Sequence, residues 1–408
     1  MPALGCQVKS ALRLALTTAG VLLLLVSAPA LAFDLGGDVE FYPFPTYKDS
    51  RNEGSTYGGV LVFLVVNEKH EIEHVIAPLV QYNDFTGMAG GLLAFGYPTK
   101  DQEYKVVLGW SQEIDREVRL SYSNRRWWDG KYDIGLKTEY SQAGQERFFG
   151  LGPSTEEADE TNFAIEETKA DGRFGLNLTE HLTVGVGARY RDVDIFEGTV
   201  SSVPFVRDSF PDVTGVDGAS VMGGRIYLTF DTRDSSQTPT EGTSVGIEAE
   251  EVGGLSGDTP DGYQRYEVEG KQLFPFGEDR RYVLVLRGKA EFMSGPQGPF
   301  WDQTSLGGEK SLRAFGSERW TDRHGWVANV EQRIRIYSFE LFDYPLELEA
   351  APFVDVGSVF GEGGAFDNVQ VNPGVALRLL SRPNIVGGMS ASWGEDGFLV
   401  VGGFSFPF

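Results

Sequence analysis

Apolar and polar residues alternate with a period of two along most of this chain, and the alternation predicts strands that face two different media. In 182–190, Leu182, Val184, Val186, Ala188 and Tyr190 share one face, while Thr183, Gly185, Gly187 and Arg189 share the other. In 282–292, Tyr282, Leu284, Leu286, Ala290 and Phe292 oppose Arg287, Lys289 and Glu291. In 326–336, Trp326, Ala328, Val330, Ile334 and Ile336 oppose Asn329, Glu331, Arg333 and Arg335. In 346–356, Leu346, Leu348, Val354 and Val356 oppose Glu347, Glu349 and Asp355. The polar face carries both signs of charge. A sandwich core would not tolerate that, whereas a watered barrel lumen does.

The expected fold is therefore all-β: a single transmembrane antiparallel β-barrel. Seventeen alternating runs fall between residues 56 and 406. At roughly 20–25 residues per strand and turn, the 376 residues after Ala32 allow about sixteen strands. Single-chain bacterial barrels have even strand numbers, so one run is in error, and the error is placed before residue 142. Longer connections at 148–161, 193–218, 294–324 and 359–370 are expected at the extracellular rim. The predicted organisation is a signal peptide at 1–32, a short N-terminal periplasmic segment at 33–55, and an outer-membrane β-barrel at 56–408. Phe41-Tyr42-Pro43-Phe44-Pro45 falls in the short segment, as a periplasmic or plugging stretch.

The signal reading rests on Lys9 and Arg13, the apolar Val21–Val26 core and the small residues Ala30-Leu31-Ala32. The apolar stretch falls short of the ~20 residues a spanning helix needs. Cys6 is the only cysteine and lies inside this signal, which excludes a disulfide, a zinc–thiolate site and a thiol nucleophile after it. Without Lys9 and Arg13 the net charge of -24 becomes -26, and so acidic a chain has no basic face for nucleic acid. Acidic loops of this kind suit divalent-cation bridging to lipopolysaccharide beside the surrounding outer-membrane lipids.

Chemistry of the catalytic sort is not in view. His70, His74, His181 and His324 are scattered, and the acidic run Glu156, Glu157, Asp159, Glu160 lacks calcium-loop spacing. The expectation is a non-enzyme without metal or cofactor.

The informative constellation is Leu306-Gly307-Gly308-Glu309-Lys310-Ser311-Leu312-Arg313-Ala314-Phe315, inside the 294–324 connection. Paired glycines before an arginine flanked by apolar residues suggest a loop folded back on itself. Glu331 and Asp355 sit on the lumen faces of the next two strands, where such an arginine could reach them. On residue types alone an exposed surface loop with an ordinary arginine is the favoured reading.

Four patches here resemble the BamA/TamA-type barrels of the outer-membrane assembly and secretion superfamily, the bacterial surface antigen family. They are Thr229–Asp234 with Pro239–Thr243, Gly307-Gly308 with Leu312–Phe315, Asn329-Val330-Glu331, and Phe353–Gly357. Phe148–Gly152 followed by Glu160-Thr161-Asn162 is a looser match. The resemblance implies a loop tucked into the lumen with Arg313 paired to Glu331 and Asp355, and Gly307, Gly308 and Phe315 shaping the plug. It also implies a barrel-only member without the periplasmic POTRA modules that catch clients, so that a periplasmic partner would supply capture. Ala314 stands where the family has glycine, which would strain the tip if that position needs φ > 0. The end of the sequence resembles the barrel insertion signal read by the outer-membrane assembly machinery, through Gly403, Phe406 and Phe408. Alternation places Phe398, Val400, Phe404, Phe406 and Phe408 together on the lipid face. The functional expectation is a gated conduit or insertase for protein or lipid. A passive diffusion pore and a structural or adhesive surface barrel are the alternatives.

Overall fold

The computed structural model describes residues 39–50, 54–66, 72–260, 262–341, 344–382, 385–403 and 406–408. The signal segment, His70 and Phe404 lie outside them.

The strands run β1 (Val39–Ser50), β2 (Gly54–Val66), β3 (Ile72–Asn83), β4 (Gly87–Thr99), β5 (Gln102–Ser111), β6 (Arg116–Arg126) and β7 (Tyr132–Phe148). They continue with β8 (Thr161–Asn177), β9 (Leu182–Glu197), β10 (Ala219–Asp231), β11 (Gly242–Gly257), β12 (Tyr263–Phe276) and β13 (Tyr282–Ser294). Two short strands follow, β14 (Thr304–Leu306) and β15 (Trp320–Asp322), then β16 (His324–Leu341), β17 (Tyr344–Phe360), β18 (Gln370–Ser381), β19 (Ile385–Gly394) and β20 (Gly397–Gly403).

Eighteen strands form one antiparallel sheet in which each pairs with the next in sequence, β13 passing directly to β16. β14 and β15 form a separate two-stranded hairpin. All seventeen alternating runs are strands of the main sheet. The correction is to the count. The error did lie before residue 142, but it is a missed strand rather than a false one. β1 occupies 39–50, inside the segment expected to be periplasmic, and pairs with β2 from Val39↔Val65 to Ser50↔Gly54. Its aromatics fall on both phases and Pro43 and Pro45 interrupt its donors, so its pattern does not read as a strand. Prolines at alternate positions strip consecutive donors from one edge, which suits a strand with an unpartnered side. β1 lies beside β20, yet among the described residues no paired register joins them, and the barrel has a seam there.

Because the sheet is a simple meander, alternate connections share a rim. The long connections after β7, β9, β13 and β17 all fall at one end, and both ends of the described chain fall at the other. Exposure follows the alternation. Val330 is 47% exposed on the outer face, whereas its neighbours Asn329 and Glu331 are 1% and 0% exposed on the inner one. Ile226, Leu286 and Val354 point outward likewise.

The largest apolar cluster lies under the long-loop rim. Phe148, Phe163, Val193, Val221, Val252 and Tyr263 from the walls meet Val206 and Val216 of the 198–218 connection and Phe300 and Trp301 of the 295–323 connection. Loops thus cap that mouth from inside.

Candidate functional site

The 295–323 connection leaves β13 and returns to β16 through the hairpin β14–β15, with Leu306 paired to Trp320. The tip between them folds on glycine geometry. Gly307 has φ +126°, and a Cβ there would lie 2.1 Å from the Gly316 carbonyl oxygen, so only glycine fits. The Gly307 N–H donates to Ser311 Oγ at 2.8 Å, and that hydroxyl donates back to the Gly307 carbonyl. Gly308 N–H donates to the Phe315 carbonyl at 3.1 Å and closes the turn. Leu312, Ala314 and Phe315 are buried against Trp320, Val327 and Val359, with Phe315 edge-on to Trp320. Ala314 has no positive φ, so the alanine is unstrained and the expected penalty does not arise.

This fold delivers Arg313 to the inner wall. Its guanidinium donates to Asp355 through Nε (2.9 Å) and Nη2 (2.7 Å) and to Glu331 through Nη1 (2.8 Å). Its backbone N–H also donates to Asp355, its carbonyl accepts from Ser392, and its guanidinium lies over the Phe353 ring. Arg313 is 3% exposed and both acids are fully buried.

Strand register sets the acids. Asp355 faces Asn329 on β16 and Asn372 on β18, and both amides donate to it, at 2.8 and 3.1 Å. Glu331 accepts from Arg333 of its own strand and from both terminal nitrogens of Arg378 on β18. Arg378 also reaches Glu349 at 3.0 Å. Arg313, Arg333 and Arg378 thus oppose Glu331, Asp355 and Glu349, and the buried cluster is neutral, as burial demands. Arg287 on β13 ties the tip sideways, donating to the Lys310 carbonyl and to Asn329.

Alternation along β18 puts Val371, Val375, Leu377 and Leu379 outward and Asn372 and Arg378 inward. These two partners were therefore available to sequence reasoning and were missed.

A second attachment was not legible. Asp302, near the start of the same connection, accepts from Arg189 Nη1 and Nη2 at 2.8 and 2.7 Å on β9, and from the Tyr263 hydroxyl on β12. Arg265 lies 3.5 Å away, and the Arg191 guanidinium stacks on Trp301. Burial works to raise the Asp302 carboxyl, but Arg265 and Arg189 outweigh it and hold the group well below the usual carboxylate range. Alternation pointed Arg189 inward; nothing in the sequence linked it to a residue 113 positions away. A third contact joins Arg319 to Asp396 at 3.1 Å, to Thr155, and to the face of Phe149.

The other sequence patches converge here too. The turn between β10 and β11 folds inward, so that the Pro239 carbonyl accepts from Arg333 and the Thr238 carbonyl from Arg382. Gly152 N–H donates to Thr321 at the base of the hairpin, which brings the looser patch to the loop. The remaining candidates lie apart. His74 bonds the Tyr104 hydroxyl, His181 the Asp231 carbonyl and His324 the Met293 N–H. In the acidic run, Glu160 pairs with Arg147.

The last residues differ from expectation. Gly403 pairs with Gly388 at the end of β20. Phe406 and Phe408 then leave the lipid face and enter the lumen. Arg333 lies 3.7 Å from the Phe406 ring centroid and Arg378 5.0 Å; Arg313 and Arg287 each lie 5.4 Å from that of Phe408. Desolvated guanidinium faces attract ring faces by ~2 kcal/mol, an attraction that lipid does not offer.

A profile of the Omp85 superfamily domain matches residues 100–395. No curated protein sequence matches the chain. Among solved structures, BamA from Haemophilus ducreyi lacking POTRA domains 1–3 is similar, with TM-score 0.54 and 14% identity over 89% of this chain and 75% of that one. CdiB from Acinetobacter baumannii is similar with TM-score 0.50 and 13% identity over 90% of this chain and 65% of that one, so the chain spans less than two thirds of its length.

Proposed function

The chain belongs to the Omp85 superfamily and lies in the bacterial outer membrane, and from that premise we propose that it is a gated conduit or insertase for protein or lipid, held shut by its own loop. The observation that carries this reading is Arg313, a loop arginine buried in the lumen with two wall carboxylates on its guanidinium. A passive pore needs no such device. A neutral, hydrogen-bonded cluster holds one loop position over another, and removing one member unbalances the rest. That is the character of a latch. The client reaches the lumen or the β1–β20 seam when the loop yields, and a periplasmic partner supplies capture. Enzymatic chemistry has no place in this reading.

The test is single-channel conductance of the purified barrel in planar bilayers, wild type beside Arg313→Ala, with protease sensitivity of the loop measured in parallel. A mostly closed wild type and frequent openings in the variant are expected. A large, steady wild-type current that the substitution leaves unchanged would mean an open diffusion pore and would overturn the proposal.

A further inference from the structure

Three short turns and the inner wall enclose a cavity of about 320 Å³ at the rim opposite the long loops. The turns after β10, β12 and β18 supply Asp234, Arg281 and Arg382, and β16 supplies Arg333 and Arg335. With Arg280, five arginines line the space against four acids, an excess of positive charge in a chain whose net charge is -24. Hydrogen bonds to backbone fix the arrangement. The Arg335 N–H donates to the Arg281 carbonyl at 2.9 Å, and the turn after β10 is held by Arg333 on the Pro239 carbonyl and Arg382 on the Thr238 carbonyl.

Three of the four acids are already engaged. Glu347 accepts from Arg335 at 3.3 Å and from Arg382 at 2.9 Å, Glu349 from Arg378 at 3.0 Å, and Asp234 from the Thr240 hydroxyl and Arg280. Two arginines keep donors in reserve. Among the described residues the Arg281 guanidinium has no hydrogen bond or ion pair, and its ring contact is with Tyr282. Arg333 is 2% exposed, and its Nη2 is buried with no hydrogen-bond partner. Native structures rarely leave a buried donor so, and an acceptor on a ligand would satisfy it.

The donors come from separate elements and approach one space from different sides. A carboxylate accepts in a single plane, whereas the oxygens of a phosphate are spread tetrahedrally and accept from several directions. Guanidiniums are the side chains best matched to that geometry. We propose that this cavity is a binding site for a phosphate group, with Arg281 and Arg333 supplying donors and Arg335 and Arg382 the positive surround. The phosphate comes from a lipid headgroup or from a soluble phosphate monoester. The site rests on its own geometry and not on the conduit reading.

The experiment is isothermal titration calorimetry on the purified full chain in a non-ionic detergent at low salt. The probes are inorganic phosphate, glycerol 3-phosphate, dihexanoyl-phosphatidylglycerol and acetate. Arg333 also holds Glu331 in the loop cluster, so the substitution is made at Arg281, which anchors nothing through its guanidinium. Saturable binding of inorganic phosphate at one site is expected, and Arg281→Gln should weaken it about tenfold or more, the loss of one charge-assisted hydrogen bond. Arg207→Gln removes the same charge at the opposite rim and should leave the affinity unchanged. Tighter binding of the phosphatidylglycerol than of glycerol 3-phosphate assigns the site to a lipid headgroup, and the reverse order to a soluble monoester. No saturable binding of any phosphate probe, or equal affinity in Arg281→Gln, overturns the proposal; the arginines then only brace the turns. Acetate binding as tightly as phosphate overturns it too, because the mouth is then cationic without selectivity. Conductance separates this site from the conduit: a large steady wild-type current sinks the conduit and leaves phosphate binding standing.

Discussion

Arg313→Ala should release the loop tip without unfolding the barrel, and its cost can be worked from the partners left behind. The guanidinium makes three charged hydrogen bonds, and breaking a buried pair by removing one partner costs about 3–5 kcal/mol. Here the acids are not stranded outright. Asp355 keeps the amides of Asn329 and Asn372 and the backbone N–H of residue 313, and Glu331 keeps Arg333 and Arg378. The low end, about 3 kcal/mol, is therefore expected. Native-state hydrogen exchange reads it directly. The amides of Gly308, Ser311 and Phe315 close the turn, and their protection should fall by roughly 100-fold, since each 1.4 kcal/mol is tenfold. Glu331→Ala should cost more, because three arginines then share only Asp355 and Glu349. A change in protection below about threefold for Arg313→Ala, or a smaller effect for Glu331→Ala, would refute the cluster as the source of the hold.

Gly307→Ala places a Cβ against the Gly316 carbonyl at a φ that alanine avoids, so the tip should loosen as in Arg313→Ala, seen as faster cleavage in limited proteolysis. Ala314→Gly should instead cost only about 0.5–1 kcal/mol in loop protection, since Ala314 already has ordinary φ; a gain in stability would contradict that backbone assignment. Asp302 carries a depressed pKa, so its contribution to the hold is present above the ordinary carboxylate value of about 3.9 and is lost as pH falls through the lower folded value. Fluorescence of the adjacent Trp301 should therefore stay constant from neutral pH down to about pH 4 and change only below it, and Asp302→Asn should abolish the change.

How far the sequence carried the reading depends on what sets each feature. Two-residue periodicity is local, and where one face meets lipid it survives any closure. It placed Glu331, Arg333 and Asp355 inward, and it equally marks Asn372 and Arg378 once β18 is read the same way. β1 escaped because its two prolines and mixed aromatics break the period, although the structure pairs it along its whole length. Pairing across the lumen is different in kind. Arg189 meets Asp302 because the curl of the sheet brings β9 against the loop, and no spacing rule spans that distance. The tail defied its own period: Phe406 and Phe408 continue the lipid-face alternation of Phe398 in sequence, but guanidinium faces inside the lumen outbid lipid for the rings.

The two main attachments of the loop have opposite polarity, and this decides how it can move. At Arg313 the loop supplies the cation and β16 and β17 supply the anions; at Asp302 the loop supplies the anion and β9 and β12 supply its partners. A charged client or a field that pulls one attachment out pushes the other in. Both attachments are buried, so salt screens neither effectively. Release of the whole loop thus needs both of these attachments to break and the Arg319 contact to Asp396 with them, whereas one break leaves it hinged on the others. Arg313→Ala should therefore free residues 307–315 while Arg319 and Phe300–Asp302 stay held under the rim, and Asp302→Asn should instead loosen Phe300–Asp302. Segment-resolved hydrogen exchange separates the outcomes. If either substitution alone deprotects both segments equally, the loop moves as one rigid piece and the hinge does not exist.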